Sequence, residues 1–286
     1  MSDDGFRVRF WGTRGSVPVS GPDYQQFGGN TCCVEMICGG AHLLFDAGSG
    51  IRQAGEALLR EGIHDINLFF THCHYDHIIG LPFFKPLYFT KMSIALWSGH
   101  LAGTMSTEDM VREFMQPPWL PAEAGYCRGG LTYHDFRSGD VLTPAAGVQI
   151  KTAALNHNGG CIGYRVEHAG HAVAVVFDVE HRDDVLDQAV LELMQDADLV
   201  VYDSTYTEEE MPRHIGFGHS TPQHGIKLAK AANVSALALF HHLPSRTDSD
   251  LRVMEKTAQA EFPNAFAAAD GQIVDVLRAT RKPGQR

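Results

Sequence analysis

Basic charge is what this chain of 286 residues has least of: Lys and Arg number 23 against 34 Asp and Glu, a formal net charge of −11. A sequence-wide basic excess, on which non-specific grip of phosphate backbones depends, is absent, and that argues against extended DNA binding. Long apolar runs are missing too. None approaches the ~18 residues of a membrane span, so no membrane partner is expected. The start, Met-Ser-Asp-Asp, is acidic where a secretory signal would be basic and then apolar, and a cytoplasmic location is expected. Cysteine is scarce for a disulfide framework: Cys32, Cys33, Cys38, Cys73, Cys127 and Cys161 are spread over a chain too long to need staples, and read as free thiols. There is no internal repeat, no low-complexity linker and no sign of a second-domain boundary, so residues 1–286 read as one domain.

What is there is a globular composition, 44% hydrophobic and 20% charged, with sixteen histidines against eight tyrosines. Grouped histidines direct attention to a metal site. Short β-branched or aromatic runs predict strands at Arg7 to Trp11, Cys33 to Ile37, His42 to Phe45, Ile66 to Phe70, Ser93 to Trp97, Val148 to Thr152, Ile162 to Val166, Ala172 to Phe177, Leu199 to Tyr202 and Leu237 to Phe240. Helical periodicity predicts helices at Gly50 to Arg60, Thr107 to Met115, Asp183 to Gln195, Thr221 to Ala232 and Asp248 to Glu261. Ser220-Thr221-Pro222 supplies an N-cap with proline in the first turn, and Asp183 or Asp184 would cap its own helix. The expected class is α/β (α+β), two mixed sheets face to face with helices outside. Thr90 to Gly130, with its prolines and Gly129-Gly130, reads either as a lid insertion over a site or as an ordinary surface excursion.

The strand Ile66 to Phe70 runs into Thr71-His72-Cys73-His74-Tyr75-Asp76-His77. In extended chain, residues two apart share a face, so His72 and His74 can meet one cation while Cys73 points back into the fold. Asp76 and His77 stand where the chain should turn into a helix from Ile78 onward, which re-aims them a few Å away. Four ligands for two adjacent metals is the natural reading.

This run resembles the H-x-H-x-D-H signature of the metallo-β-lactamase-fold hydrolases, which implies a four-layered αβ/βα sandwich with a one- or two-metal site at the edge of its two sheets. The resemblance spans about Phe6 to Leu277. It implies His157, in a Gly-rich loop, as third imidazole of the first metal, and Asp178, closing a buried strand, as the carboxylate bridging both metals. The last ligand of the second metal would be His241, with His242 the alternative. His72, His74 and His157 would thus hold one divalent ion and Asp76, His77 and His241 the other, with Zn²⁺ the first choice and Mn²⁺ the second. Oxygen-reducing di-iron relatives carry Glu where this chain has His74, and many β-lactamases carry cysteine where it has Asp178, so both of those chemistries lose ground.

Asp203, and His219 in Gly218-His219-Ser220-Thr221-Pro222, resemble the phosphodiesterase branch, which includes the tRNA 3′-processing endonucleases. There an acidic residue orients a histidine that protonates the leaving oxygen and touches the phosphoryl oxygens. Gly12 to Pro18 and Phe27 to Thr31 resemble the bacterial cyclic-nucleotide phosphodiesterase-like members, in which Asn30 and Thr31 would offer substrate hydrogen bonds and the glycines would let backbone approach the site. The tRNA enzymes grip their substrate with a long arm, usually between the third histidine and the bridging aspartate, and the span from His157 to Asp178 leaves no room for one. The expected activity is hydrolysis of a small anionic phosphodiester such as a cyclic nucleotide, with Asp76 orienting the attacking water. The rivals are an RNA-end nuclease, a catalytically silent metal- or nucleotide-binding regulator, and a thioester or lactone hydrolase. Members of this family are often homodimers, which makes a homodimer the implied partner state.

Overall fold

The computed structural model describes residues 5–120, 127–181 and 185–279. The chain lays down one sheet and then the other. Six strands, β1 (Phe6–Gly12), β2 (Cys33–Cys38), β3 (Ala41–Phe45), β4 (Asp65–Phe70), β5 (Ser93–Ser98) and β6 (Gly130–Asp135), stand side by side in that order. The second sheet runs in chain order from β7 (Val141–Ala145) through β8 (Val148–Leu155), β9 (Cys161–His168), β10 (His171–Val176), β11 (Leu199–Asp203) and β12 (Leu237–Phe240) to β13 (Ala265–Ala267). A last strand, β14 (Ile273–Asp275), returns to pair antiparallel with β1. Each sheet is mixed: β3 to β6 are parallel, as are β10 to β13, while β1 to β3 and β7 to β10 are antiparallel.

Alternation explains the layers. Along β1, Phe6, Val8 and Phe10 turn inward, and they meet Val173, Val175, Phe177 and Phe240 of the facing sheet in one apolar core. On the outer face of the first sheet, helix α1 (Ile51–Glu61) buries Ile51, Ala54 and Leu58, the one-sided spacing expected of an amphipathic helix. A single turn, α2 (Tyr75–Ile78), follows β4, and α3 (Thr107–Phe114) packs on β5 and β6. The outer face of the second sheet is covered by α4 (Gln188–Met194), α5 (Pro222–Ala231) and α6 (Asp248–Glu261), with a last turn, α7 (Val276–Ala279), near β1. The result is the expected αβ/βα sandwich. No helix among the described residues is long and apolar enough to cross a membrane.

Thr221 caps α5 as anticipated, accepting from the His224 N–H with Pro222 in the first turn. Three expectations need correction. α4 is shorter than Asp183 to Gln195, because Asp187 caps it through the Ala189 and Val190 N–H groups; Asp183 and Asp184 lie outside the described residues. The helix after the histidine motif does not run on from Ile78: α2 starts at Tyr75 and gives way to 3₁₀ turns at Leu81–Phe83 and Lys85–Tyr88, where Pro82 and Pro86 cannot continue an α-helix. Residues 90–130 are not an insertion throughout, since β5 is an interior strand and α3 covers the sheet with Met110 and Val111. Pro121 of that segment lies outside the described residues.

At one end the two sheets are tied directly. The Tyr164 hydroxyl on β9 donates to the Phe70 carbonyl that ends β4, and the Ile162 N–H donates to the Thr71 carbonyl at 2.9 Å. Tyr164 is wholly buried. Tyr164→Phe is expected to cost about 1–3 kcal/mol, the penalty for leaving a buried carbonyl unpaired, read as a lower midpoint in urea denaturation with unchanged slope.

Candidate metal centre

Chain ends of buried strands deliver the polar side chains. Beyond Phe70, residues 72–74 are extended and α2 begins, so His72 and His74 are presented from the strand exit and Asp76 and His77 from the first turn. His157 comes from the β8–β9 loop, Asp178 from just past β10, and His241 from just past β12. All seven were brought forward in the sequence, four by the motif, Asp178 and His241 at strand ends and His157 through the resemblance, and it is His241, not the alternative His242, that faces the others. The His242 ring turns away to the Ala268 carbonyl at 2.9 Å, and burial pushes its pKa down to about 3.

Asp178 stands at the centre, wholly buried. Its Oδ2 is 3.6 Å from Nε2 of both His72 and His157, while its Oδ1 is 3.3 Å from Nε2 of both His77 and His241. His74 Nδ1 lies 3.1 Å from His157 Nε2, closing the first group. Asp76 Oδ2 lies 3.4 Å from His77 Nε2 and 3.2 Å from His241 Nε2, closing the second. One carboxylate with an oxygen toward each group is placed to bridge two adjacent cations.

For four of the five rings, the far side fixes the tautomer. His77 Nδ1–H donates to Asp46 at 2.7 Å, His157 Nδ1–H to the Gly218 carbonyl at 2.7 Å, and His241 Nδ1–H to Thr205 Oγ1 at 2.8 Å. Thr71 Oγ1 donates to Asp46, so it accepts from His72 Nδ1–H at 3.0 Å. Each Nε2 is thereby left with a lone pair facing the centre. His72 Nε2, His77 Nε2 and Asp178 Oδ1 are buried without a hydrogen-bond partner, a cost that a bound cation removes.

Charge tells the same story. Burial holds the His72, His74 and His157 rings below their usual pKa, hence neutral. Burial would raise Asp76 and Asp178, yet the neighbouring His77 and His241 outweigh it and keep both ionised. For His77 burial opposes a proton, and the surrounding Cys32, Asp178, Asp76 and Asp46 override it; the field at that point favours a positive charge. The neutral imidazoles of the first group and the ionised carboxylates are the forms that ligate a divalent metal, and at His77 a metal cation would take the place of the proton, so the residues fit such ions.

Asp46, Thr71 and Thr205 were missed by sequence reasoning. Asp46 directly follows β3, the strand-end signal that marked Asp178, and could have been found by it. Asp46, Asp178 and His241 adopt φ of 63°, 38° and 59°, and Ser16, whose N–H donates to Asp76 Oδ2 at 2.6 Å, adopts 63°. Such backbone is costly for residues other than glycine and gathers where function over-determines it. Glycine matters at Gly15, where a Cβ would fall 2.0 Å from the His241 ring, so the N-terminal loop does approach the site through a glycine.

Asp203 and His219 are paired. His219 Nδ1 donates to Asp203 Oδ2 at 2.9 Å and lies 3.9 Å from Asp178 Oδ2. Burial alone would lower the His219 pKa; the Asp203, Asp178 and Asp76 carboxylates outweigh it and raise it to about 9. Asn30 and Thr31, expected as substrate contacts, bond to adjacent loops. Asn30 donates to Asp270 and accepts from Ser49, and Thr31 Oγ1, wholly buried, accepts from the Ser49 N–H at 2.8 Å. These bonds lock the loop.

A model of the Beta-lactamase superfamily domain matches residues 42–242. Ribonuclease Z of Haloferax volcanii is 26% identical over 97% of this chain and 97% of its own length. The metallo-beta-lactamase fold protein YhfI from Bacillus subtilis superposes with a TM-score of 0.73 at 17% identity, covering 96% of this chain and 100% of that one. Human tRNase Z, short form, superposes at 0.67 and 20% identity over 94% of this chain and 99% of its own.

Asp46→Ala is expected to weaken divalent-metal affinity by ~10–100-fold while leaving every ligand in place, and Asp46→Asn by less, measured by competition with a chromophoric chelator.

Proposed function

The chain belongs to the beta-lactamase superfamily, and from that premise we propose that it is a binuclear metal-dependent phosphodiester hydrolase acting on a small substrate such as a cyclic nucleotide. The observation that carries this reading is the Asp203–His219 pair beside the centre. A metal-binding regulator has no use for a buried carboxylate that holds an imidazole protonated. His72, His74 and His157 would hold one ion, Asp76, His77 and His241 the other, and Asp178 both, with Zn²⁺ preferred over Mn²⁺ for this mix of imidazole and carboxylate. When bound, such ions supply Lewis-acid stabilisation of charge developing on the phosphoryl group and acidify water.

The chain's own residues supply the proton chemistry. Asp203 accepts from His219 Nδ1–H and also from the Thr205 and Val179 N–H groups, so it is pinned and the imidazole with it. With its pKa raised, His219 carries a second proton on Nε2 near neutral pH, available to a leaving alkoxide oxygen. Asp76, anchored by the Ser16 N–H, is set to orient the attacking water. Residues 158–177 are used up by a turn, β9 and β10, which supports a small substrate over one gripped by an arm. A homodimer and a cytoplasmic location belong to the same reading.

A second reading, a nuclease of RNA ends, is favoured by the relatives named Ribonuclease Z, which match nearly the whole chain. Turnover of bis(p-nitrophenyl) phosphate, cyclic mononucleotides, precursor tRNA, a thioester and a lactone separates the readings. Cyclic mononucleotides should be hydrolysed and chelation should abolish turnover. Cleavage of precursor tRNA alone would favour the nuclease, and turnover confined to thioester or lactone would end the phosphodiesterase reading.

His219→Ala should keep its metal content yet lose ~10²–10⁴ of the rate on alkoxide esters. The loss should shrink for p-nitrophenolate, which departs without a proton, and Asp203→Asn should show a weaker form of the same pattern.

A further inference from the structure

Cys32 immediately precedes β2 and is wholly buried. Its neighbour Cys33 turns outward into the packing between the first sheet and its helices, whereas Cys32 turns inward, as alternation requires. That inward face is the apolar core between the sheets, and at the start of β2 it borders the candidate metal centre. Cys32 Sγ and the ligand atoms of Asp76, His77 and His241 all lie within 4.8 Å of one another. The S–H donates to the Arg14 carbonyl at 3.3 Å, and the residue after Arg14 is Gly15, whose missing side chain makes room for the His241 ring. His77 Nε2, a buried atom without a hydrogen-bond partner, borders the same space.

We propose that Cys32 is a further ligand, as thiolate, of the ion held by Asp76, His77 and His241. This rests on the metal-centre reading above and adds a donor that the resemblance does not supply. On coordination the S–H bond is replaced by a sulfur–metal bond and the proton leaves to water, so binding of this ion releases one more proton than the other ligands account for. The two ions then differ in kind. The His72, His74, His157 group offers nitrogen and carboxylate oxygen, while the second group adds a soft sulfur, which favours Zn²⁺ and disfavours Mn²⁺. Cys161, the other buried thiol near Asp178, is turned away, with Sγ toward the Phe177 and Ile162 carbonyls at 3.6 and 3.9 Å.

The test is electronic absorption of the Co²⁺-loaded full chain. A near-ultraviolet sulfur-to-cobalt charge-transfer band should grow in as the ions bind, persist in Cys161→Ser, and vanish in Cys32→Ser, while the His72, His74, His157 site still takes its cobalt. Manganese should fill that second site more readily in Cys32→Ser than in the wild type. Two cobalt ions bound to the wild type without the band, or a band that survives in Cys32→Ser, would overturn the assignment while leaving the metal centre intact. Failure of the wild type to take up any cobalt would overturn the metal centre itself, and this inference with it. Where Cys32→Ser does not fold, Cys32→Ala replaces it, and the absence of the wild-type band alone suffices to refute.

Discussion

Asp178 is an ionised carboxylate sunk among imidazoles, with one oxygen toward each of two histidine groups and one of those oxygens lacking any hydrogen-bond donor. Burying a charge in this way is tolerated only where it is paired or coordinates metal. The rest of the architecture serves that requirement. Asp178 arrives from β10 and His241 from β12 of one sheet, while His72, His74, Asp76 and His77 arrive from the exit of β4 in the other. The sheets are joined at this end by Tyr164 to Phe70 and Ile162 to Thr71, so the spacing between the two ligand sources is set by hydrogen bonds as well as by the apolar core.

The ligands and the candidate proton donor are coupled through one loop. Glu180, two residues past Asp178, accepts from the Gly216 and Gly218 N–H groups, and the Gly218 carbonyl orients His157 just before His219 turns to Asp203. Thr205 joins the remaining parts, accepting from His241 and donating to Asp203 at 2.6 Å. A shift in either anchor therefore moves a candidate metal ligand and the candidate proton donor together. Backbone strain at Ser16, Asp46, Asp178 and His241 is held in place by these bonds, the pattern expected where packing over-determines a site.

What the sequence showed followed burial. The ten strands anticipated from β-branched and aromatic runs are the ten that have a neighbour on both sides, and the four that escaped notice, β6, β7, β13 and β14, are the four sheet edges. Edge strands need little apolar pattern: β6 buries none of its residues, β7 contains Pro144, and β13 and β14 have three residues each. The cluster of the candidate metal centre was legible because histidine and aspartate at the end of a buried strand have few packing explanations. Thr71, Thr205 and the Gly218 carbonyl were not, because their role depends on which ring the fold brings beside them. The bonds that Asn30 and Thr31 make to adjacent loops were likewise not legible, since polar residues in a glycine-rich loop serve the loop as readily as a ligand.

The most direct test of the metal centre is anomalous X-ray scattering from crystals of the zinc-loaded protein, recorded on both sides of the zinc absorption edge. Two peaks should flank Asp178, one bordered by His72, His74 and His157 and the other by Asp76, His77 and His241. A single peak on one side of Asp178, or none within reach of its oxygens, would contradict the account.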